Sequence, residues 1–477
     1  VVTLKFGGTS VADAGALSRL CAIVGAEAGQ RVVVVSALSG VTDQLLALSR
    51  TAEAGQLPDA LAAIRRLRER HETIAEVVTD TARRARVLAD VQEHWTDLEA
   101  LVRAVAILRS AAPAFRDAIA ACGELASSRI VAAALADAGV PASWVDARRV
   151  LVTDGRHERA VPLAEPTTVH AEREIRPVLE RGEVAVLGGF VGATADGVTT
   201  TLGRGGSDFS ASLVGACLAA DEIQIWTDTD GVLTADPRVL DRAVTVDGLS
   251  FREASALAHF GAKVLHPATV APAIDRGIPV RILNSRRPEA RGTIVTGRAA
   301  KRRNPLAGLA CLSDVLVVDV ALPPDATRER QLADVFATCA ANGATVYASS
   351  IGDADVSVIL GGGPAALAAA AALETSAGAR TRDDLALLAV AGDGLSDGRS
   401  QVGALLSTLK RITVAAIAES SRAGFVALAV RRTDLTEATT LLHRRFFETA
   451  HRARRAPRPH LVSVRHAAVV PGEEAVA

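Results

Sequence analysis

The sequence predicts an α/β protein: an open, mostly parallel sheet with helices on both faces, followed by two ferredoxin-like (βαββαβ) units. Three observations carry this. Short β-branched runs alternate with longer helical stretches up to about residue 297. Those runs are almost continuously apolar, the pattern of parallel strands buried on both faces. Beyond residue 305 the texture changes to a strand–helix–strand–strand–helix–strand order that then recurs.

In chain order, Val1–Phe6, Arg31–Val35, Glu183–Leu187, Ile223–Thr227 and Pro279–Leu283 are the expected strands of the first domain. Leu57–Leu135, rich in Ala, Leu, Arg and Glu, is a long helical region, and Ser207–Ala219 and Arg252–His259 are further helices. Arg298–Pro305 is basic and Pro-terminated, as a linker would be. Strand Val315–Ala321, helix Glu329–Ala341, strands Ala344–Ser349 and Val356–Leu360, helix Ala365–Thr375 and strand Leu385–Val390 make the first small unit. Gln401–Leu409, Thr413–Ala418, Phe425–Val430 and Leu435–Phe447 supply the second. The expected division is 1–297, linker 298–305, units at 306–385 and 386–450 with room for one to interrupt the other, and a mobile Arg/Pro-rich tail at 451–477.

Composition narrows the function. The 477 residues carry 53 Lys+Arg against 54 Asp+Glu, a formal charge of −1, so no basic footprint for nucleic acid is present. Only Lys5, Lys263, Lys301 and Lys410 are lysines, and none follows a glycine, which excludes a Walker A loop. Hydrophobic content of 49% and mean hydropathy of +0.25 exclude wholesale disorder. The longest apolar run, near Ala365–Leu373, falls well short of the ~20 residues that span a bilayer, and no leader segment is expected from the opening residues. The five cysteines are widely spaced without a CxxC pair, which points to a reducing cytoplasm and no structural zinc. Methionine is absent altogether, and nothing in the sequence accounts for it.

Four segments carry candidate chemistry. Lys5-Phe6-Gly7-Gly8-Thr9-Ser10 closes the first strand before a helix, where paired glycines and a helix N-terminus suit an anion, although a tight turn with a surface lysine reads the same way. The scarcity of lysine favours function, since a compact ammonium among phosphate oxygens is not replaceable by arginine. Lys263 also lies in a glycine-containing motif, Phe260–Pro267. In Gly203–Asp208 the dinucleotide GxGxxG pattern fails at Asp208. Ser207 there is a candidate helix cap, Asp208 a candidate cation or dipole partner, and Arg204 suits a substrate carboxylate. The acidic stretch Trp226–Arg238 follows a buried strand, at the strand end where α/β sheets bind ligands. Gly123-Glu124 with Ser127 suits an amine, and Ser36 ends the second strand. The histidines show no metal-ligand spacing.

Taken in order, KFGGTS, VSALSGVTD, CGELASS, TLGRGGSD, WTDTDGVLTADPR, FGAKVLHP and NSRRPEARGT resemble the aspartate kinases of the amino acid kinase family over roughly residues 1–450. LLHRRFFE is similar to the end of the monofunctional, lysine-sensitive type. The resemblance implies an amino acid kinase-like catalytic domain with two C-terminal ACT domains. It also implies transfer of the γ-phosphoryl of MgATP to the β-carboxylate of L-aspartate, with Mg2+ entering with ATP and no resident metal. Carried over, Lys5 and Asp208 would be catalytic, and Ser36, Glu124, Arg204 and Ser207 would hold aspartate. Lys5, Gly7, Gly8, Thr9, Ser10, Thr227, Asp228, Asp236, Arg238 and Lys263 would line the nucleotide. It further implies a cytoplasmic homodimer or homotetramer with lysine as a possible effector, and neither nucleic acid nor membrane as a partner. A glutamate or acetylglutamate kinase, or a pseudokinase that senses an amino acid, are the alternatives. Leu233 stands where relatives carry an aromatic near adenine, and Cys122 where His or Tyr is usual. Arg330 and Gln331 before Leu332, and Tyr347 in place of an acid, depart from the effector loop and predict weak lysine control.

Overall fold

A computed structural model of the chain describes residues 1–262, 269–298, 304, 306–322, 327–395 and 401–448. The first half contains strands β1 (Val2–Phe6), β2 (Arg31–Val35), β3 (Ala142–Trp144), β4 (Val152–Thr153), β5 (Val184–Gly188), β6 (Val191–Thr194), β7 (Thr199–Thr201), β8 (Glu222–Thr227), β9 (Gly248–Ser250), β10 (Val280–Asn284) and β11 (Thr293–Thr296). Eight of them form one sheet in the order β3-β5-β2-β1-β8-β10-β11-β9. Pairing is parallel except between β10 and β11. Val32–Val35 of β2 are fully buried, and each such side chain contributes roughly 1.5–3 kcal/mol. The small sheet β4-β6-β7 stands beside the large one.

Helices α1 (Ala14–Ala26), α2 (Val41–Glu53), α3 (Leu57–Ala75), α4 (Thr81–Leu108) and α5 (Pro113–Asp137) cover one face, where Leu17, Leu45, Ile64, Trp95 and Ile130 join Leu4, Phe6, Val33 and Val35 in one core. Helices α6 (Ala164–Glu174), α7 (Arg176–Glu180) and α8 (Gly206–Cys217) cover the other, with Ala171, Leu179 and Val214 against Val32, Val34 and Leu187. The long helical region expected at 57–135 is three helices. Asp80 caps α4 by accepting the Arg83 N–H (2.8 Å), Arg109 ends it in the left-handed region (φ 54°), and a proline opens α5. By length and hydropathy α5 could cross a membrane, yet 83% of its most apolar window is buried inside the protein. It is a core helix.

After α9 (Phe251–His259) and α10 (Ala271–Arg276) the chain builds two further four-stranded sheets from β12 (Gly308–Leu312), β13 (Val315–Ala321), β14 (Val346–Ile351), β15 (Asp355–Gly361), β16 (Arg380–Arg382), β17 (Leu385–Ala391), β18 (Val414–Ser420) and β19 (Phe425–Arg431). Their helices are α11 (Arg328–Ala341), α12 (Pro364–Ala377), α13 (Val402–Thr408) and α14 (Leu435–His443). The strand orders are β14-β15-β13-β16 and β12-β17-β19-β18, both antiparallel and ACT-like. One assignment changes. Leu385–Val390, which the sequence order gives to the first unit, is the centre of the second sheet, and Gly308–Leu312 is its neighbour. The reason is burial: every residue of β17 is buried, a requirement of a central strand, while the short Arg-bearing β16 suits the edge of the first sheet. The division at 385/386 therefore gives way to a first unit inserted between β12 and β17. Most of the expected linker and the whole tail at 451–477 lie outside the described residues.

His71 in α3 is buried edge-on to Trp95 (5.0 Å between ring centroids). Its Nδ1–H donates to the Leu67 carbonyl at 2.7 Å, and among the described residues its Nε2 has no partner to receive a second proton's N–H. Burial pushes its pKa down to about 4. His94 in α4 is likewise pushed down to about 4, by burial and the nearby Arg129 and Arg148. Between pH 6.5 and 4 the unfolded chain binds protons that the folded chain refuses, so stability falls as pH drops through that window. We predict a loss on the order of 3 kcal/mol per histidine by pH 4. His71→Gln should remove about half of the slope in denaturant-midpoint-versus-pH curves; an unchanged slope would exclude His71 as its source.

Candidate active site

Strands β1, β2, β5 and β8 end along one edge of the sheet, and β1 sits between β2 and β8 in parallel register, with Lys5 beside Val34 and Ile225. The chain departs from β1 to one side and returns on the other, so this edge is a topological switch point, where open α/β sheets leave a crevice. Gly8 exists for close approach: a Cβ there would lie 2.9 Å from the Ala37 carbonyl oxygen. The Gly8 carbonyl accepts the Ser39 N–H (3.2 Å), and the Gly7 N–H donates to the Trp226 carbonyl (3.2 Å). Gly8 thus packs the turn after β1 against the turn after β2, and Gly7 ties it to β8.

A cavity of about 460 Å³ opens there, lined by Lys5, Ser36, Thr42, Asp43, Arg116, Asp117, Glu124, Glu158, Arg204, Ser207 and Asp208 among others. Lys5 Nζ lies 2.6 Å from Asp208 Oδ1, both side chains largely sheltered. Asp208 reaches it from the first turn of α8, where a carboxylate also favours the helix dipole. Ser207 does not cap that helix: Gly205, with φ 73°, holds the N-cap position. A Cβ on Gly189 would lie 2.7 Å from the Ser207 Cα, so α8 seats directly on the chain leaving β5.

Glu124 projects from α5 and is 3% exposed. Its Oε2 has no hydrogen-bond partner among the described residues, and burial raises its pKa to about 8, against the pull of the Ala37 N–H. Gly123 allows this depth, because a Cβ there would stand 2.8 Å from the Ala37 Cβ. Ser127 does not face a ligand; its hydroxyl donates to the Ser36 carbonyl at 2.9 Å. Arg204 is exposed at the mouth and makes no ion pair among the described residues. Arg116 is held by Glu158 (2.8 Å) and Glu53 (3.6 Å).

A second cavity of about 310 Å³ is lined by Leu233, Asp236, Arg238, Gly261 and Ala262 and closed by Leu309–Cys311 of β12. Asp236 and Arg238 pair with each other at 2.6 Å. Thr227 ends β8 and Asp228 follows it, neither in the lining of the two cavities, with the Thr227 hydroxyl donating to Asp228 (3.3 Å). Gly7, Gly8 and Thr9 form the turn beside the first cavity, with Thr9 exposed. Ser10 is turned inward, its hydroxyl 2.8 Å from that of Ser285. Lys263 lies outside the described residues. Among the described residues no group of three or more His, Cys, Asp or Glu is arranged to hold a metal ion. Asp208, a sheltered carboxylate beside Lys5, fits a magnesium ion that keeps most of its ligands as water and substrate phosphate.

A family model, the amino acid kinase family, matches residues 1–284. The chain belongs to the amino acid kinase family. It is 39% identical over 306 residues to lysine-sensitive aspartokinase 3 of Escherichia coli, an alignment covering 64% of this chain and 65% of that protein, just under two thirds of its length. It is similar to the crystal structure of E. coli aspartokinase III in complex with aspartate and ADP (TM-score 0.78, 30% identity, covering 94% of this chain and 100% of that one). The complex of that enzyme with lysine and aspartate gives a TM-score of 0.81 at 30% identity, covering 94% and 99%. These matches place the chain on the aspartokinase branch of the family.

Sequence reasoning missed Thr42, Arg116, Asp117, Glu158 and Thr201 in the first cavity. Asp117 left a signal: it precedes Glu124 by seven residues, two helical turns, so an acid in an alanine-rich stretch falls on the same face of α5. For Glu124 we predict that its carboxyl titrates in the free protein near pH 8, read by carbon NMR of labelled glutamate and assigned with Glu124→Gln; a midpoint below pH 6 would refute its desolvation.

Proposed function

We propose that the chain transfers the γ-phosphoryl group of ATP to the β-carboxylate of L-aspartate, giving 4-phospho-L-aspartate and ADP. The observation that carries this reading is the Lys5–Asp208 pair at the switch-point edge, with Glu124 and Arg204 on the same cavity wall. A β-carboxylate oxygen attacks the γ-phosphorus as its bond to the ADP oxygen breaks, and the bonding electrons leave with ADP. That carboxylate is already ionised at neutral pH, with an ordinary pKa of ~3.9, so no general base is needed. Catalysis is then positioning and charge stabilisation.

Lys5 neutralises the transferring phosphoryl oxygens, and the turn Gly7–Ser10 sits beside the phosphates, with Ser10 acting through its place in the turn. Asp208 would hold magnesium, which when bound screens the phosphate charge. Arg204 takes the α-carboxylate of aspartate, and Ser36 and Ser207 border it. Glu124 takes the ammonium, and the incoming cation draws its carboxyl back to the ionised form. Thr227, Asp228, Asp236, Arg238 and Lys263 serve the nucleotide, with Leu233 giving the base an aliphatic rather than a stacking surface. The aspartate, ADP and lysine complexes of the E. coli relative support the substrate and effector classes. We read the protein as a cytoplasmic homo-oligomer, a dimer or tetramer, in lysine, threonine and methionine biosynthesis.

Trapping of the acyl phosphate with hydroxylamine tests the reading: hydroxamate should form with aspartate and ATP. Product with glutamate or acetylglutamate alone would move the chain to another member of the family, and none at all would leave an amino-acid-binding pseudokinase. In that assay Lys5→Arg should lower kcat by about a hundredfold or more with an unchanged melting temperature, since charge is kept and ammonium geometry lost; near-normal kcat would remove Lys5 from the mechanism. L-Lysine should inhibit only weakly. Tyr347, where an acid is usual, packs its ring on Phe260 (6.4 Å) and gives its carbonyl to His259 (3.0 Å), so it is built into the domain contact rather than offered to an ammonium. Strong inhibition at low lysine would overturn that prediction.

A further inference from the structure

The buried carboxylate of Asp117 draws hydrogen bonds from three different residues. It is 1% exposed and collects donors from separate segments: the Thr201 hydroxyl at the end of β7 (2.5 Å), the Glu158 N–H (3.0 and 3.1 Å to its two oxygens) and His157 Nδ1 (2.7 Å). Both oxygens are fully engaged, so the side chain acts on its neighbours rather than on a ligand.

What it fixes is unusual. Glu158 adopts φ +67°, the left-handed region that a side chain with a Cβ avoids, and the Asp117 carboxylate gives its N–H an acceptor in that conformation. The Glu158 carbonyl then packs on the glycine loop: a Cβ on Gly203 would meet that oxygen at 3.1 Å, and Gly203 is itself left-handed, at φ +75°. Arg204 is the next residue. The Ala160 N–H donates to the Thr201 carbonyl (2.9 Å) and the Gly206 N–H to the Gly203 carbonyl (3.0 Å), closing the loop on both sides. Arg116, the neighbour of Asp117, pairs with the Glu158 carboxylate and holds the same residue by its side chain.

We infer that Asp117 is the positioning residue for Arg204. It clamps the 157–158 turn so that the glycine loop presents the guanidinium to the amino-acid substrate. This rests on Arg204 as the partner of the substrate α-carboxylate. An uncharged amide at 117 keeps the shape but turns N–H donors toward donors, freeing the turn.

The test is Asp117→Asn in the full chain. The KM for aspartate should rise about tenfold or more, with kcat and the KM for ATP changed less than about threefold. Thr201→Val and His157→Ala should each raise the aspartate KM by a smaller factor and add little on top of Asp117→Asn. Hydrogen exchange of the 202–206 amides should quicken in Asp117→Asn, a readout independent of turnover. An unchanged aspartate KM, an ATP KM that rises in parallel, or unaltered exchange at 202–206 would each overturn the proposal. Should Asp117→Asn fail to fold, Thr201→Val and His157→Ala decide by the same measurements. A wild-type protein that makes no hydroxamate sinks the kinase reading instead, and the exchange measurement still judges the clamp.

Discussion

The structure depends on β1 being paired on both sides in one register. A five-residue strand has little to hold it, yet β1 matches β2 and β8 residue for residue from Val2 to Phe6. A slip of one residue would send Lys5 to the opposite face and expose Phe6. Phe6 resists it: fully buried, it stacks on Trp226 of β8 at 6.0 Å. The apolar residue beside the lysine thus fixes where the ammonium points. Because α8 is seated through Gly189 and Gly206 on the same sheet edge, the distance from Lys5 to Asp208 follows from sheet geometry rather than from any flexible loop.

The charges of the cavity are disposed by the same economy of partners. Arg116 is held by two glutamates, Asp117 is saturated by donors, and Lys5 and Asp208 satisfy each other. Glu124 and Arg204 stand apart from these pairs. Glu124 is kept protonated by desolvation, and Arg204 stands exposed without an ion pair among the described residues. A cation and an anion arriving together on one small molecule would engage both, the cation by drawing the Glu124 carboxyl to its ionised form and the anion by pairing with Arg204. An α-amino acid is the simplest molecule that brings both.

Much of this was legible in the sequence because it depends on local chemistry. The apolar strands, the glycine turns and Lys5, surviving in an arginine-rich chain, each have a short-range cause. Contacts that depend on long-range pairing were not legible. That Ser10 would turn inward depends on Ser285, and that Ser127 would bond the Ser36 carbonyl depends on how α5 crosses β2. The membership of Leu385–Ala391 was obscured because burial on both faces reads alike in either sheet. Asp117 was visible only as an acid on an apolar helix, a pattern that becomes meaningful once His157, Glu158 and Thr201 are brought to it.

The insertion of the first ACT-like unit has a mechanical consequence. Its entrance and exit are two adjacent antiparallel strands, with Leu312 of β12 opposite Leu387 of β17. Only Ser313 and Asp314 on the way in, and Asp383 and Asp384 on the way out, separate this stem from the unit's own strands. So short a tether has almost no slack, so the inserted unit cannot turn without carrying the stem with it. One rail of that stem, β12, forms the back wall of the second cavity and donates from the Leu309 N–H to the Thr234 carbonyl at 2.8 Å. The inserted unit is thus joined to the wall of the second cavity by two-residue links, and a second time through Tyr347 against His259 and Phe260.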